Sequence, residues 1–243
     1  MRKPFFGDAA SMAWNRELLL KTVANYRHEY IYIRNQDKIG TFFKEYGEDI
    51  AVVIHTATQL SHDWAAKEPI NDCTINANGT LVLREAFQAH CPDAVFLNMS
   101  TNKVYGDAPN ELSLIEEATR WSLAPDHRFA VHGIDETKSI DASVNSLFGV
   151  SKAAGDLLVP EYGRNFGFKT ACFRGGCHTR PAHSGAQLQG FLGFLGFLAY
   201  LARCAANYTP DRNFGYKEQV LDDLARAFWS VFEAPRAGEI YNI

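Results

Sequence analysis

No Cys-x-x-Cys pair occurs anywhere in the 243 residues. The five cysteines stand at positions 73, 91, 172, 177 and 204, odd in number and widely spaced. That pattern argues against a zinc site and against a disulfide framework, and it fits free thiols in a reducing compartment. Basic charge is not in excess either. Lys and Arg number 24 against 28 Asp and Glu, a net charge of −4. Nothing basic recommends nucleic acid, so no nucleic-acid partner is expected. A membrane span needs roughly 20 consecutive apolar residues. The nearest approach is "LQGFLGFLGFLAYLA" (188–202), and its glycines at 190, 193 and 196 weaken it as a helix. Each costs roughly 1 kcal/mol relative to Ala. A buried helix is expected there, and no membrane partner. The opening "MRKPFFGDAASMAWNRELLLK" carries charge on both sides of a short apolar patch and lacks the long apolar core of a signal peptide. A cytoplasmic protein is expected. The last absence is Gly-x-Gly-x-x-Gly, the turn at which a strand–helix unit commonly receives a pyrophosphate.

What is present is an apolar fraction of 47%, enough for a full core, arranged in short runs. "HEYIYI" (28–33), "IAVVIHTA" (50–57), "AVFLNMS" (94–100) and "FKTACFR" (168–174) read as strands. Helical spacing runs through 37–46, 75–91 and 147–166. Near-continuous apolar strands alternating with helices predict a doubly wound parallel α/β sheet. The stretch 105–146 is polar and irregular, and after 175 the alternation fades. The expected division is therefore a sheet domain over 1–175 and a small substrate-capping region over 176–243. Ligands of such sheets bind outside the carboxyl ends of the strands. Three polar clusters fall there: "HTATQ" (55–59), "STNK" (100–103) and "RGGCH" (174–178).

Within "NSLFGVSK" (145–152), Lys152 stands four residues after Phe148, which places both on one helix face. Alone, Ser100 and Thr101 read as turn caps and Lys152 as a solvated charge. Their order along the chain is more informative: strand, Ser-Thr-x-x-Val-Tyr-Gly, a gap of some forty residues, then Gly-x-Ser-Lys on a helix, strand and Arg-Gly-Gly-Cys.

That order resembles the extended short-chain dehydrogenase/reductase family, the nucleotide-sugar epimerases and dehydratases. The supporting stretches are "STNKVYGD", "RFAVHGIDE" with "SID" (128–141), "FGVSKAAGD", "EYGRNFGFKTACFRGGC" and "HSGAQLQGF". Within the family they are most similar to epimerases of CDP-sugars. The resemblance implies a Rossmann-type fold, NAD as cofactor, a CDP-sugar as substrate, and transient oxidation and re-reduction at sugar C2. It assigns Thr101 to the reacting sugar oxygen and Lys152 to the nicotinamide ribose. Asn76 supports the site, Thr56 and Ala57 line the adenosine side, and Ser100, Gly175, Gly176 and Cys177 flank the nicotinamide. Asn102, Lys103, His178 and His183 fall to the substrate. Dehydratases of the family carry Asp-Glu where this chain has Asn102 and Lys103, so epimerisation is favoured over dehydration. The helix over 147–166 is the segment through which family dimers pair.

Several positions depart from the family pattern. Phe148 occupies the place of the catalytic tyrosine and has no hydroxyl, so it is expected to limit chemistry, with His178 the next candidate base. Tyr32 replaces an acidic residue. The first two strands of the family fold have no counterpart before Asn15, and weak or no NAD binding by residues 1–243 is expected. Strands 28–33 and 50–57 should then either pair with each other or leave open edges. A rival reading is a non-catalytic remnant acting at most as a binding or oligomer-forming subunit.

Overall fold

The computed structural model describes residues 13–118, 121–176 and 219–243. Two compact units are present, Met1–Tyr32 with His178–Ala225, and Ile33–Cys177 with Arg226–Ile243.

In the first unit, α1 (Ala13–Thr22) buries none of its residues. The expected strand at 28–33 does not form. An extended segment needs a neighbour to take its N–H and C=O groups, and among the described strands none pairs with it. Its side chains meet one another instead. The rings of His28 and Tyr30 stack edge-on at 4.6 Å, and the Arg16 guanidinium lies over Tyr30 at 5.7 Å.

The second unit holds the sheet. Asn35 caps α2 (Gln36–Tyr46) by accepting a bond from the Lys38 amide at 3.0 Å, and the helix buries Ile39 and Phe43, four apart. Strand β1 (Val52–His55) follows. Ser61 caps the short α3 (His62–Lys67), and Pro69 starts α4 (Pro69–Cys73), where its missing N–H costs nothing. A π-turn over Thr74–Asn78 leads into α5 (Gly79–His90). Next come β2 (Val95–Thr101), a 3₁₀ turn over Asn102–Tyr105, and a small antiparallel pair, β3 (Leu114–Glu116) with β4 (Trp121–Leu123). Ser146 caps α6 (Leu147–Phe166), which ends at Gly167 with φ 74°, a left-handed stop that glycine adopts without strain. Strand β5 (Lys169–Gly175), α7 (Gln219–Glu233) and β6 (Glu239–Asn242) complete the described elements.

The strands lie in the order β1-β2-β5-β6, all parallel. The predicted fold class is therefore present, an α/β protein with a parallel sheet. Helix α6 has the bounds expected from sequence. The alternation does not end at 175, however: α7 and β6 add one more helix–strand step to the sheet. The expected helix at 188–202 lies outside the described residues.

Side chains alternate between the two faces of the sheet. Val95, Leu97, Ala171 and Phe173 form a core packed against Ala227, Phe228, Val231 and Phe232 of α7. On the other face Phe96 meets Phe87 of α5 at 5.2 Å, and Asn98, Ser100 and Arg174 are buried. Among the described residues β1 pairs only with β2, and Ile54 is 47% exposed.

Helix α6 approaches the start of β6 closely at Gly163. A Cβ there would fall 2.3 Å from the Gly238 amide nitrogen and 2.3 Å from Thr170 Oγ1. Gly163→Ala is expected to cost about 1–3 kcal/mol through overpacking, read as a lower urea midpoint with an unchanged slope.

Candidate active site

Strands β1, β2 and β5 end side by side at His55, Thr101 and Gly175, with Thr101 in register with Gly175. The chain leaving β1 exposes Thr56 and Ala57. It then turns back on Asn76. The Asn76 carboxamide oxygen accepts bonds from Thr58 Oγ1 at 2.7 Å and from the Gln59 amide at 2.8 Å. Its nitrogen lies 3.0 Å from Ser151 Oγ and 3.1 Å from Asp72 Oδ1. Asn76 sits in the π-turn, whose extra residue aims this side chain at α6. It thereby holds Ser151, the residue next to Lys152.

Lys152 is buried, and its ammonium donates to the Met99 carbonyl at 2.7 Å. Burial lowers its pKa to about 8 against the pull of Asp156 and Asp72, so it is still a cation at neutral pH. That charge reaches His55. Burial first, and Lys152 second, drive the His55 imidazole down to about 3, and it is neutral, with Nε2 2.9 Å from Thr80 Oγ1. Thr101 is half-buried at the end of β2 and caps the following turn, accepting the Lys103 amide at 3.2 Å. Asn102 and Lys103 are exposed. The turn can lie against α6 because residue 149 is glycine: a Cβ there would stand 2.8 Å from the Lys103 carbonyl oxygen. Phe148, the residue before it, is buried. Gly175 is buried and Gly176 is exposed, while Cys177, His178 and His183 lie outside the described residues.

Sequence reasoning missed three features. Arg174 and Asp156 form a buried, two-pronged ion pair, with Arg174 Nη2 2.6 Å from Asp156 Oδ1 and Arg174 Nε 3.1 Å from both carboxylate oxygens. Arg174 Nη1 also donates to Tyr105 OH at 2.9 Å, which in turn donates to Asn242 Oδ1 at 2.9 Å. Burial works against the Arg174 charge, but Asp156 and Tyr105 more than compensate and raise its pKa above the usual value. Asp156 lies four residues after Lys152, on the same face of α6, but that spacing does not point to Arg174. The second feature is Arg84, fully buried on α5, its guanidinium 4.6–5.3 Å from the rings of Phe87, Phe96, Tyr162 and Phe168. Burial lowers its pKa to about 10. The third is His62, whose ring packs on Phe148.

A nicotinamide and its ribose present hydroxyl and amide groups, and the described residues fit that end. Among the described residues, Ser100 Oγ and the carboxamide oxygen of Asn98, two residues before it on β2, are buried with no hydrogen-bond partner. Lys152 holds the neighbouring carbonyl, and exposed Gly176 leaves room at the adjacent strand end. No described group of residues provides a glycine-rich pyrophosphate turn. Among the described residues no cluster suited to a metal ion occurs, and no helix is long and apolar enough to cross a membrane.

A parallel sheet wound with helices, with its polar site at the strand carboxyl ends, defines a Rossmann-type protein. The profile of the NAD dependent epimerase/dehydratase family matches residues 9–243, and the chain belongs to that family. It is 31% identical over 155 residues to the CDP-paratose 2-epimerase of Salmonella typhi, covering 64% of this chain and 43% of that one. It is 26% identical over 248 residues to dTDP-glucose 4,6-dehydratase 1 of Escherichia coli strain K12, covering 97% of this chain and 63% of the relative. The chain thus spans less than two thirds of the length of these curated relatives. Among solved structures, the UDP-Glc/GlcNAc 4-epimerase of Campylobacter jejuni superposes with a TM-score of 0.61 at 16% identity, over 96% of this chain and 67% of that one. That likeness bears on fold.

Proposed function

We propose that the chain carries the nicotinamide and sugar side of an NAD-dependent nucleotide-sugar epimerase acting at C2 of a CDP-sugar in the cytoplasm. The observation that carries this reading is that Ser100, Thr101 and Gly176 stand at two adjoining strand ends while Lys152 reaches from α6 to the Met99 carbonyl of the same strand. The identity to a CDP-paratose 2-epimerase and the presence of Asn102 and Lys103 in place of a carboxylate pair favour epimerisation. When bound, NAD supplies a reversible hydride acceptor. The residues of this chain do the rest. Thr101 holds the reacting sugar oxygen, Lys152 fixes the ribose and keeps a positive charge beneath it, and Gly176 allows close approach of the ring. The family resemblance assigns Cys177 to the nicotinamide and His178 and His183 to the sugar. Leu147, Val150 and Leu157 are exposed along α6 and would pair two chains into a dimer.

The test is conversion of C2-deuterated CDP-paratose with millimolar NAD. Retention of the label in the C2 epimer is the expected result, because a hydride that leaves and returns on one cofactor does not exchange with water. Calorimetric titration is expected to show NAD binding weaker than micromolar for residues 1–243. A second reading, a non-catalytic binding or oligomer-forming subunit, is favoured by Phe148. It would be established by CDP-sugar binding without conversion at any NAD concentration.

A further inference from the structure

Position 148 cannot move a proton, since a phenyl ring has none to give. The described groups around it narrow the choice of a replacement. Lys152 is buried and protonated at neutral pH, so its ammonium offers no lone pair. The Thr101 hydroxyl caps the next turn and does not titrate in the working range. His55 is 3% exposed and tied to Thr80.

His62 differs from all three. It is the first residue of α3 and is exposed. Its ring stands edge-on to the Phe148 ring, 4.8 Å between centroids with the planes at 63°. Its Nδ1 lies 2.9 Å from Ser146 Oγ, the cap of α6, and that oxygen also accepts the Gly149 amide at 3.1 Å. Ser146 therefore anchors the imidazole on the helix that carries Phe148 and Lys152. With Nδ1–H donated to Ser146, the lone pair is on Nε2, which is the tautomer a base requires.

Resting on the epimerase reading above, we propose that His62 takes the proton of the reacting sugar hydroxyl and returns it, in the place of a titrating group at 148. The O–H bond would break, its proton would go to Nε2, and its electron pair would form the C=O bond, with NAD, when bound, supplying the acceptor for the carbon-bound hydride. When the C–H bond is re-formed on the other face, Nε2–H would give its proton back to the oxygen. The charged groups acting on His62 suit this role. Burial lowers its pKa and the Lys103 charge lowers it further, while Asp63 and Asp72 raise it, leaving it below 6.5 and the ring neutral at pH 7. Phe148 then serves as the apolar wall against which the imidazole is set.

Two measurements on the full chain test this. Nitrogen NMR of the histidines is expected to show His62 as the Nδ1–H tautomer, titrating below 6.5, with Ser146→Ala shifting the tautomer ratio. Saturating CDP-paratose is expected to move the Nε2 resonance. With millimolar NAD, His62→Gln is expected to lower turnover about 10²–10⁴-fold and to abolish the acid limb of the pH profile. Adding Phe148→Tyr to His62→Gln should restore turnover with a limb at higher pH. Retained turnover and an unchanged pH profile in His62→Gln overturn the assignment, as does bound CDP-paratose that leaves His62 unmoved. In either case the epimerase reading survives if the wild-type chain converts its substrate. No binding of CDP-paratose at all overturns both.

Discussion

Asp156→Asn is expected to destabilise the protein by about 3–5 kcal/mol, the cost of leaving one partner of a buried ion pair uncompensated. The Arg174 and Asp156 side chains are 4% and 0% exposed, so no water is at hand to solvate the orphaned guanidinium. Asparagine would keep the volume and one acceptor oxygen but lose the charge and half of the two-pronged contact. The effect would spread, because Arg174 also holds Tyr105, and Tyr105 holds Asn242 of β6. Urea unfolding at pH 7 reads the loss directly. Arg174→Met combined with Asp156→Leu should recover much of it, since removing both charges also removes the cost of burying them. A single variant as stable as the double one would show that the pair is solvated in a way its burial does not allow.

Acid should unfold the protein through His55 well before the carboxylates titrate. The folded-state pKa is lowered from 6.5 to about 3, chiefly by burial. Above 6.5 the ring is neutral whether the chain is folded or not, and it adds no pH dependence. As pH falls through 6.5 the unfolded chain takes up a proton that the folded chain refuses, so stability declines continuously until about pH 3. The loss is on the order of 3 kcal/mol by about pH 4. Thermal midpoints across that range check it. His55→Asn, which keeps a polar group for Thr80, should flatten the slope between about pH 6.5 and 4. A wild-type midpoint that stays level to pH 4 would count against the burial of His55.

The sequence made the sheet legible where helix and strand were both self-contained. α6 could be read to its ends because Ser146 caps one and Gly167 stops the other. β2 and β5 could be read because strands covered on both faces are unbroken apolar runs. The segment 28–33 has an equally strand-like composition. A strand is a property of a pair, however, and none of the described strands pairs with it. α7 and β6 were passed over because they follow a long stretch without alternation. Of the candidate site, the residues at the strand ends were legible, since polar groups interrupting apolar runs stand out. His62 was not. Nothing in "QLSHDW" distinguishes a histidine on a helix start from any surface histidine. Its significance comes from a contact with a residue 86 positions away in sequence, as 148 − 62 counts it. The Arg174–Asp156 pair was hidden for the same reason, two charges 18 apart in sequence that only the β2–β5 register and α6 bring into contact.

The parity of β2 also limits how this protein can vary. Even-numbered residues from Phe96 to Ser100 face α5, α6 and the candidate site, while Val95 and Leu97 face α7. Inserting or deleting one residue inside the strand would carry every side chain beyond that point to the opposite face. Leu97 or Met99 would be delivered to the site, and Asn98 or Ser100 would be driven into the apolar layer. Descendants of this sequence can therefore change length at the turn after Thr101 or at the loop before Val95, but within the strand only by substitution.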